Sequence, residues 1–469
     1  MSKKDLHAYL DLHEDKLIAI AHKIWGNPEV GFGEHFAAKL QMDVLKDAGF
    51  RIKNDLVDLP TAFVAEYGIG KPIIGVVGEF DALPGLSQEI SAVKNPVTSG
   101  APGHACGHNA LGTAGLGAVM ALKEAMDKEG LAGTIRYYGC PAEELLAGKA
   151  FMAKQGVFDD LDMAFSWHPA QMNAVWGCSF LAVNSMKFHF KGIAAHAAAA
   201  PHVGRSALDA VELMNVGANY LREHVDEKAR IHYSITYGGG EPNIVPPDAI
   251  VWYYIRAPKR AMVEEIYGRL KKIADGAALM TETTYEIEFL AGCYDVQPNV
   301  VLGKVVLENL REAGAPKFTD EDKKLAEELH ATYTYEQKVK AMQTYNAPAE
   351  VLDMVLCEKV YDIDDTGRVL AGSTDVGDIS YKVPFAQFTT ATWPVGVAAH
   401  TWQAAAASGS GITYAAMLYA AKTLAGTVYD MLKDDGSILK NAKKEFDEML
   451  NGYTYVSAIP DGVHPKTHK

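Results

Sequence analysis

The chain has 469 residues, 48% of them hydrophobic and 22% charged, with a formal net charge of −15. That length exceeds what one core normally organises, so two domains are expected, and the acidic balance argues against non-specific nucleic-acid binding. Five scattered cysteines (Cys106, Cys140, Cys178, Cys293, Cys357) offer no disulfide framework, and Met1-Ser2-Lys3-Lys4-Asp5 has no apolar stretch behind it, so a cytoplasmic protein without a secretory leader is expected.

Apolar positions recurring at three and four predict helices over 5–25 and 34–48. The run Pro72-Ile73-Ile74-Gly75-Val76-Val77-Gly78-Glu79-Phe80 predicts a buried strand that delivers acidic groups, Asp81 among them, at its C-terminal end. A helix is expected over 112–128. The most apolar stretch, 111–122, carries three glycines and falls short of the roughly 20 residues that span a bilayer, so no membrane partner is expected. A second strand is expected over 134–140, just before Pro141-Ala142-Glu143-Glu144, and a third over 163–167 with His168 at its end. Strands alternating with helices predict an α/β fold with a mostly parallel central sheet, whose sites form outside the carboxyl ends of its strands.

The pattern changes at Ser185. Alternation over 185–192, a helix over 206–222, strands over 231–237 and 249–257, a helix over 261–274 and a strand over 285–290 give the order βαββαβ. That order predicts a ferredoxin-like insert over 185–295 acting as a lid, with 1–184 and 296–469 forming the catalytic domain. Residues 314–369, rich in Lys, Glu and Asp at helical spacing, are expected as a surface insertion, and 411–425 as an apolar core helix. The tail's His464 and His468 are expected in solvent.

The chemistry concentrates in Gly103-His104-Ala105-Cys106-Gly107-His108-Asn109. Small residues leave room for an ion and a substrate, and the Cys-x-His spacing lets Cys106 and His108 reach one ion or two adjacent ones. A thiolate can bind one ion or bridge two. Its alternative reading is a small buried hydrophobe, where the other four cysteines are left, and His104 is not assigned as a ligand. Glu143 and Glu144 point in different directions after a strand and a proline, so Glu144 can ligate while Glu143 stays free as general base. Alone, the pair would read as acidic residues in a helix's first turn. His168 and His400 alone would each read equally well as core histidines, and they join the ligand set because a dinuclear centre needs five protein donors. Asp81 is placed to orient a ligating imidazole. In the insert, His196 lies among small residues, while Asn243 and Arg256 could clamp a carboxylate, Arg256 with its planar fork.

Taken in order, Asp-Ala-Leu-Pro at 81–84, His-Ala-Cys-Gly-His at 104–108, Pro-Ala-Glu-Glu at 141–144, His168 and His400 resemble the M20 metallopeptidases over about residues 10–430. Cys-x-His points to the amidohydrolase branch acting on acyl-amino acids, and His108-Asn109, Gly112-Thr113-Ala114 and 373–378 point within it to the aminobenzoyl-glutamate hydrolases. The resemblance implies a zinc-peptidase-like catalytic domain holding two divalent ions (Zn or Mn), bridged by Cys106 and completed by His108, Glu144, His168 and His400. It implies Glu143 as catalytic base, His196 as the lid histidine that reaches the scissile carbonyl, and Asn243 and Arg256 as substrate contacts. It also implies a small acyl-amino-acid substrate, and a homodimer through the lid or pairing with a homologous second subunit. A dipeptidase or deacylase of the same family, and a non-catalytic metal-binding subunit, are the rival readings. Asn109 departs from the aspartate usual in the branch.

Overall fold

Eight strands make the central sheet of this computed structural model, which describes residues 2–56, 58–363 and 365–466. Their spatial order is Arg51–Lys53, Phe63–Ile69, Gly133–Cys140, Ile73–Glu79, Met163–Ala170, Phe385–Ala391, Asn173–Val175 and Val360–Tyr361. The third to sixth run parallel, while Phe63–Ile69 and Asn173–Val175 run antiparallel to their inner neighbours. Strands covered on both faces favour near-continuous apolar runs, and Val76, Val77, Phe165, Trp167 and every residue of Phe385–Ala391 are buried. Helices His108–Glu129 and Gly411–Lys433 pack together, and both contact the sheet.

Several elements differ from their sequence expectation. The helix expected over 5–25 divides at His13, whose ring Nδ1 lies 2.8 Å from the Tyr9 carbonyl. The helix expected from 112 starts at His108, immediately after Gly107. His168 lies within its strand, which continues to Ala170. Strand Phe385–Ala391 escapes the sequence pattern, because Gln387, Thr389 and Thr390 interrupt its apolar run. These polar groups are buried, and Thr389 Oγ1 donates to the Met172 carbonyl at 2.9 Å.

A separate antiparallel sheet runs in the order Thr284–Cys293, Ala182–Lys191, Asp248–Ala257 and Arg230–Tyr237, with helices Ala207–Leu221 and Arg260–Thr281 packed against it. The chain order is βαββαβ, a ferredoxin-like topology. Arg230–Tyr237 is paired on one side only among the described residues.

Residues 314–369 do more than cover the surface. Leu329 of helix Asp320–His330 is buried with Trp393 and Val397, and His330 Nδ1 lies 2.8 Å from the Val395 carbonyl, so this segment backs the loop that carries His400. Near the C-terminus, Tyr455 donates to Asp378 at 2.6 Å and Ile459 is buried in the second core cluster. His464 is exposed beside Asp58, and His468 lies outside the described residues. No helix among the described residues is long and apolar enough to cross a membrane.

Candidate metal centre

Three strand ends and two loops converge on one point. Gly107 has φ 73°, and a Cβ there would lie 2.8 Å from Pro169 Cγ, so glycine lets the Cys106 loop settle against the strand that bears His168. Cys106 Sγ lies 3.6 Å from His168 Nε2. At the first residue of its helix, His108 places Nδ1 2.8 Å from Asp81 Oδ1, while Asp81 Oδ2 accepts the backbone N–H of Glu144 at 2.9 Å. One buried carboxylate thus fixes both the imidazole and the Glu143–Glu144 turn. His400 arrives from the far end of the chain. Its backbone N–H donates to the Ala105 carbonyl at 2.9 Å, it holds a left-handed φ of 63°, and its Nε2 lies 3.3 Å from Glu144 Oε2.

These donors fall into two triads that share the thiol, Cys106–His108–His168 and Cys106–Glu144–His400, and a third group, Glu79–His108–Glu143, adjoins them through His108. Metal bonds of 2.0–2.3 Å in tetrahedral geometry put N and O ligands about 3.3–3.5 Å apart and S and N ligands about 3.6 Å apart. The His400–Glu144 and Cys106–His168 separations match those spacings. His108 Nε2 and Glu144 Oε1 are buried without a hydrogen-bond partner, which is costly unless something electropositive faces them. Soft sulfur, imidazole and carboxylate together suit Zn²⁺ or Mn²⁺. The residues present therefore fit a pair of divalent ions.

The electrostatics follow from burial. Burial pushes the Cys106 thiol up, raises Glu144 to about 7 and lowers His168 to about 4. Glu143 is raised well above the usual carboxyl range, first by burial and then by the charge of Glu79. Its Oε2 stands 4.0 Å from His108 Nε2, wider than the spacing of two donors on one ion. Burial would raise Asp81, but the hydrogen bond and charge of His108 outweigh it and hold the carboxyl low.

The three residues expected in a lid stand apart from this cluster. His196 is exposed, and its Nδ1 accepts the backbone N–H groups of Ala198 and Ala199, each at 3.2 Å. Asn243 is exposed beside it, its carbonyl accepting the Ala197 N–H at 2.9 Å. Arg256 stacks over Tyr254, 5.4 Å from the ring centroid, and its buried Nε has no hydrogen-bond partner. None of the three has a hydrogen bond or ion pair to the cluster. His104 is buried with Nε2 3.2 Å from the Ile24 carbonyl, and burial lowers it to about 3. Asn109 donates from Nδ2 to the carbonyls of Ala21 and Ser408 at 3.3 and 2.9 Å. An ionised aspartate there could make neither bond.

Sequence reasoning leaves Glu79, Lys149, Asp375 and Glu34 without roles, although Glu79 is visible as one of the strand-end acids. Lys149 is fully buried, with Nζ 2.8 Å from Glu79 Oε1 and 2.5 Å from Asp375 Oδ1. Glu34 accepts the Ala142 N–H at 2.8 Å and the Thr61 hydroxyl at 3.0 Å behind the Glu143–Glu144 turn.

The model of the peptidase family M20/M25/M40 matches residues 75–430. The chain is 42% identical to a p-aminobenzoyl-glutamate hydrolase subunit of Escherichia coli K12, over 96% of each chain. It is 29% identical to Xaa-Arg dipeptidase of Mus musculus, over 93% of this chain and 90% of that one. A dinuclear metal-binding peptidase of the M20 family from Bacillus subtilis superposes with a TM-score of 0.57 at 18% identity, covering 90% of this chain and 99% of that one.

Proposed function

Because this chain belongs to peptidase family M20/M25/M40, we propose that it is a dinuclear metal-dependent amidohydrolase that cleaves the amide of an N-aroyl amino acid, with p-aminobenzoyl-glutamate as substrate. The observation that carries this reading is the thiol of Cys106, shared by two donor triads, with the Glu143 carboxylate beside them 4.0 Å from His108 Nε2. The extended likeness to the Escherichia coli p-aminobenzoyl-glutamate hydrolase subunit supports the substrate.

Cys106, His108 and His168 would hold one ion, and Cys106, Glu144 and His400 the other. When bound, the pair supplies Lewis acidity, which acidifies water and polarises a carbonyl. Glu143 takes the proton of the attacking water on its carboxylate and returns it to the leaving nitrogen. Its raised proton affinity suits that exchange. Asp81 keeps His108 in the tautomer whose Nε2 faces the ions. Arg256, half-buried and with its Nε unpartnered among the described residues, pairs with a substrate carboxylate, and Asn243 assists.

Residues 1–184 and 296–469 form the catalytic unit in this reading, and 185–295 the lid. The family resemblance implies His196 as oxyanion donor across a homodimer, and its exposed position is compatible with that role. The exposed Tyr233, Ile235 and Tyr237 of strand Arg230–Tyr237, with Val216 and Tyr220 on helix Ala207–Leu221, supply an apolar face for that dimer. A homologous second subunit could occupy the same face.

Turnover of the metal-loaded protein on aminobenzoyl-glutamate, hippurate, N-acetyl-amino acids and Xaa-Arg dipeptides tests the proposal. Preference for the aroyl-glutamate supports it. Preference for the dipeptides replaces the substrate assignment, and full metal occupancy with no hydrolysis of any of them refutes a catalytic role.

A further inference from the structure

One buried carboxylate oxygen in the cluster is left unexplained by the five donors. Glu79 Oε2 has no hydrogen-bond partner and lies 3.4 Å from His108 Nε2, which has none either. In a neutral His108 whose Nδ1 donates to Asp81, Nε2 presents a lone pair. Two lone pairs facing each other in a buried site repel unless a cation or a proton lies between them. The 3.4 Å separation falls within the about 3.3–3.5 Å expected of an N and an O ligand on one ion. Glu143, 4.0 Å from the same nitrogen, falls outside it.

We propose that Glu79, which groups with His108 and Glu143, is a further donor to the ion that His108 holds, and that Lys149 and Asp375 are the positioning residues that present it. This rests on the dinuclear reading above. Ligating carboxylates are themselves held by a hydrogen bond to their other oxygen. Glu79 fits that pattern, since Lys149 Nζ occupies Oε1 at 2.8 Å and leaves Oε2 turned to His108. Lys149 is fixed in turn by Asp375, which binds its ammonium at 2.5 Å and its backbone N–H at 2.7 Å. A lysine with no exposed surface needs such a task, because burying an ammonium is costly unless it is paired. With Glu79 included, one ion has four protein donors. Catalytic zinc commonly has three and an open position, whereas an ion that accepts five or six ligands and favours carboxylate and imidazole, such as Mn²⁺, keeps room for substrate.

Metal titration of the stripped full-length protein with Mn²⁺ and with Zn²⁺, by calorimetry and Mn²⁺ electron paramagnetic resonance, tests the assignment. In Glu79→Gln, Mn²⁺ affinity should fall about 10–100-fold at one of two sites and less for Zn²⁺. The resonance of the coupled Mn²⁺ pair should be lost at stoichiometric loading. Glu79→Asp keeps the charge opposite Lys149 but withdraws the oxygen by one methylene, and should show the same loss if the glutamine variant does not fold. Two Mn²⁺ ions bound with unaltered affinity in the folded variants overturn this proposal alone. Wild-type protein that binds fewer than two ions overturns the dinuclear reading, and this proposal with it.

Discussion

Replacing Glu143 by glutamine separates proton handling from metal binding and from folding. The Glu143 carboxylate is buried yet accepts no hydrogen bond among the described residues, and its nearest ion-pair partner, His108 Nε2, is 4.0 Å away. Glutamine has the same shape, so no packing contact is removed. It also eliminates a buried ionisable group, so the melting temperature should stay level or rise. A general base contributes about 10²–10⁴-fold, equivalent to about 3–5 kcal/mol of transition-state stabilisation. Glu143→Gln should therefore lower kcat on aminobenzoyl-glutamate by that factor, with both ions retained by elemental analysis and KM little changed; Glu143→Ala should do the same at some cost in stability. A kcat within about threefold of wild type would refute the assignment of Glu143 as base. Loss of an ion with full folding would show that the carboxylate ligates instead.

Metal stoichiometry should report the sharing of the thiol. Cys106→Ala should bind close to no ion under conditions where His168→Ala and His400→Ala each retain one; equal loss in all three would remove the bridge. The stripped protein should become less stable as pH rises from about 6.5 through 8, above the range in which His104 and His168, lowered by burial to about 3 and about 4, act in the opposite sense. Asp378 is raised to about 7 by burial, and Glu34 to about 8 by burial and then by the Asp81 charge. The folded state therefore binds protons that the unfolded chain has released, and that stabilisation is lost as pH passes the folded values. Denaturant melts across this range check the sign, and Asp378→Asn should flatten the slope. Ile235→Glu on the outer lid strand should dissociate a homodimer in sedimentation experiments and, with His196 reaching across, should lower kcat with metal content unchanged.

Local chemistry was legible where ligands lie close in sequence or beside a strong punctuator. Cys106 and His108 flank a glycine, and Glu143-Glu144 follow a strand and a proline. The ferredoxin-like order was legible because alternation in exposed antiparallel strands differs from the continuous runs of a buried parallel sheet. Lys149 was not. It stands in Gly-Lys-Ala-Phe-Met-Ala-Lys, which reads as a helix with two solvated lysines, and its partner Asp375 is 226 positions away. Strand Phe385–Ala391 was obscured for a related reason, since its threonines satisfy their hydroxyls on carbonyls supplied by other elements. The role of 314–369 was hidden because charge describes a segment's outer face and does not reveal what its few apolar residues, such as Leu329, press against.

The position of strand Phe385–Ala391 has a consequence for how the protein is made. It inserts between Met163–Ala170 and Asn173–Val175, strands completed more than two hundred residues earlier during synthesis. Until it emerges from the ribosome, the middle of the sheet has an open apolar rim, and His400 cannot yet meet Cys106. Late, long-range pairing of this kind is slow and leaves such rims prone to sticking. The nascent chain should therefore depend on holdase chaperones, and ions should be captured only once Phe385–Ala391 and His400 have emerged and closed the sheet.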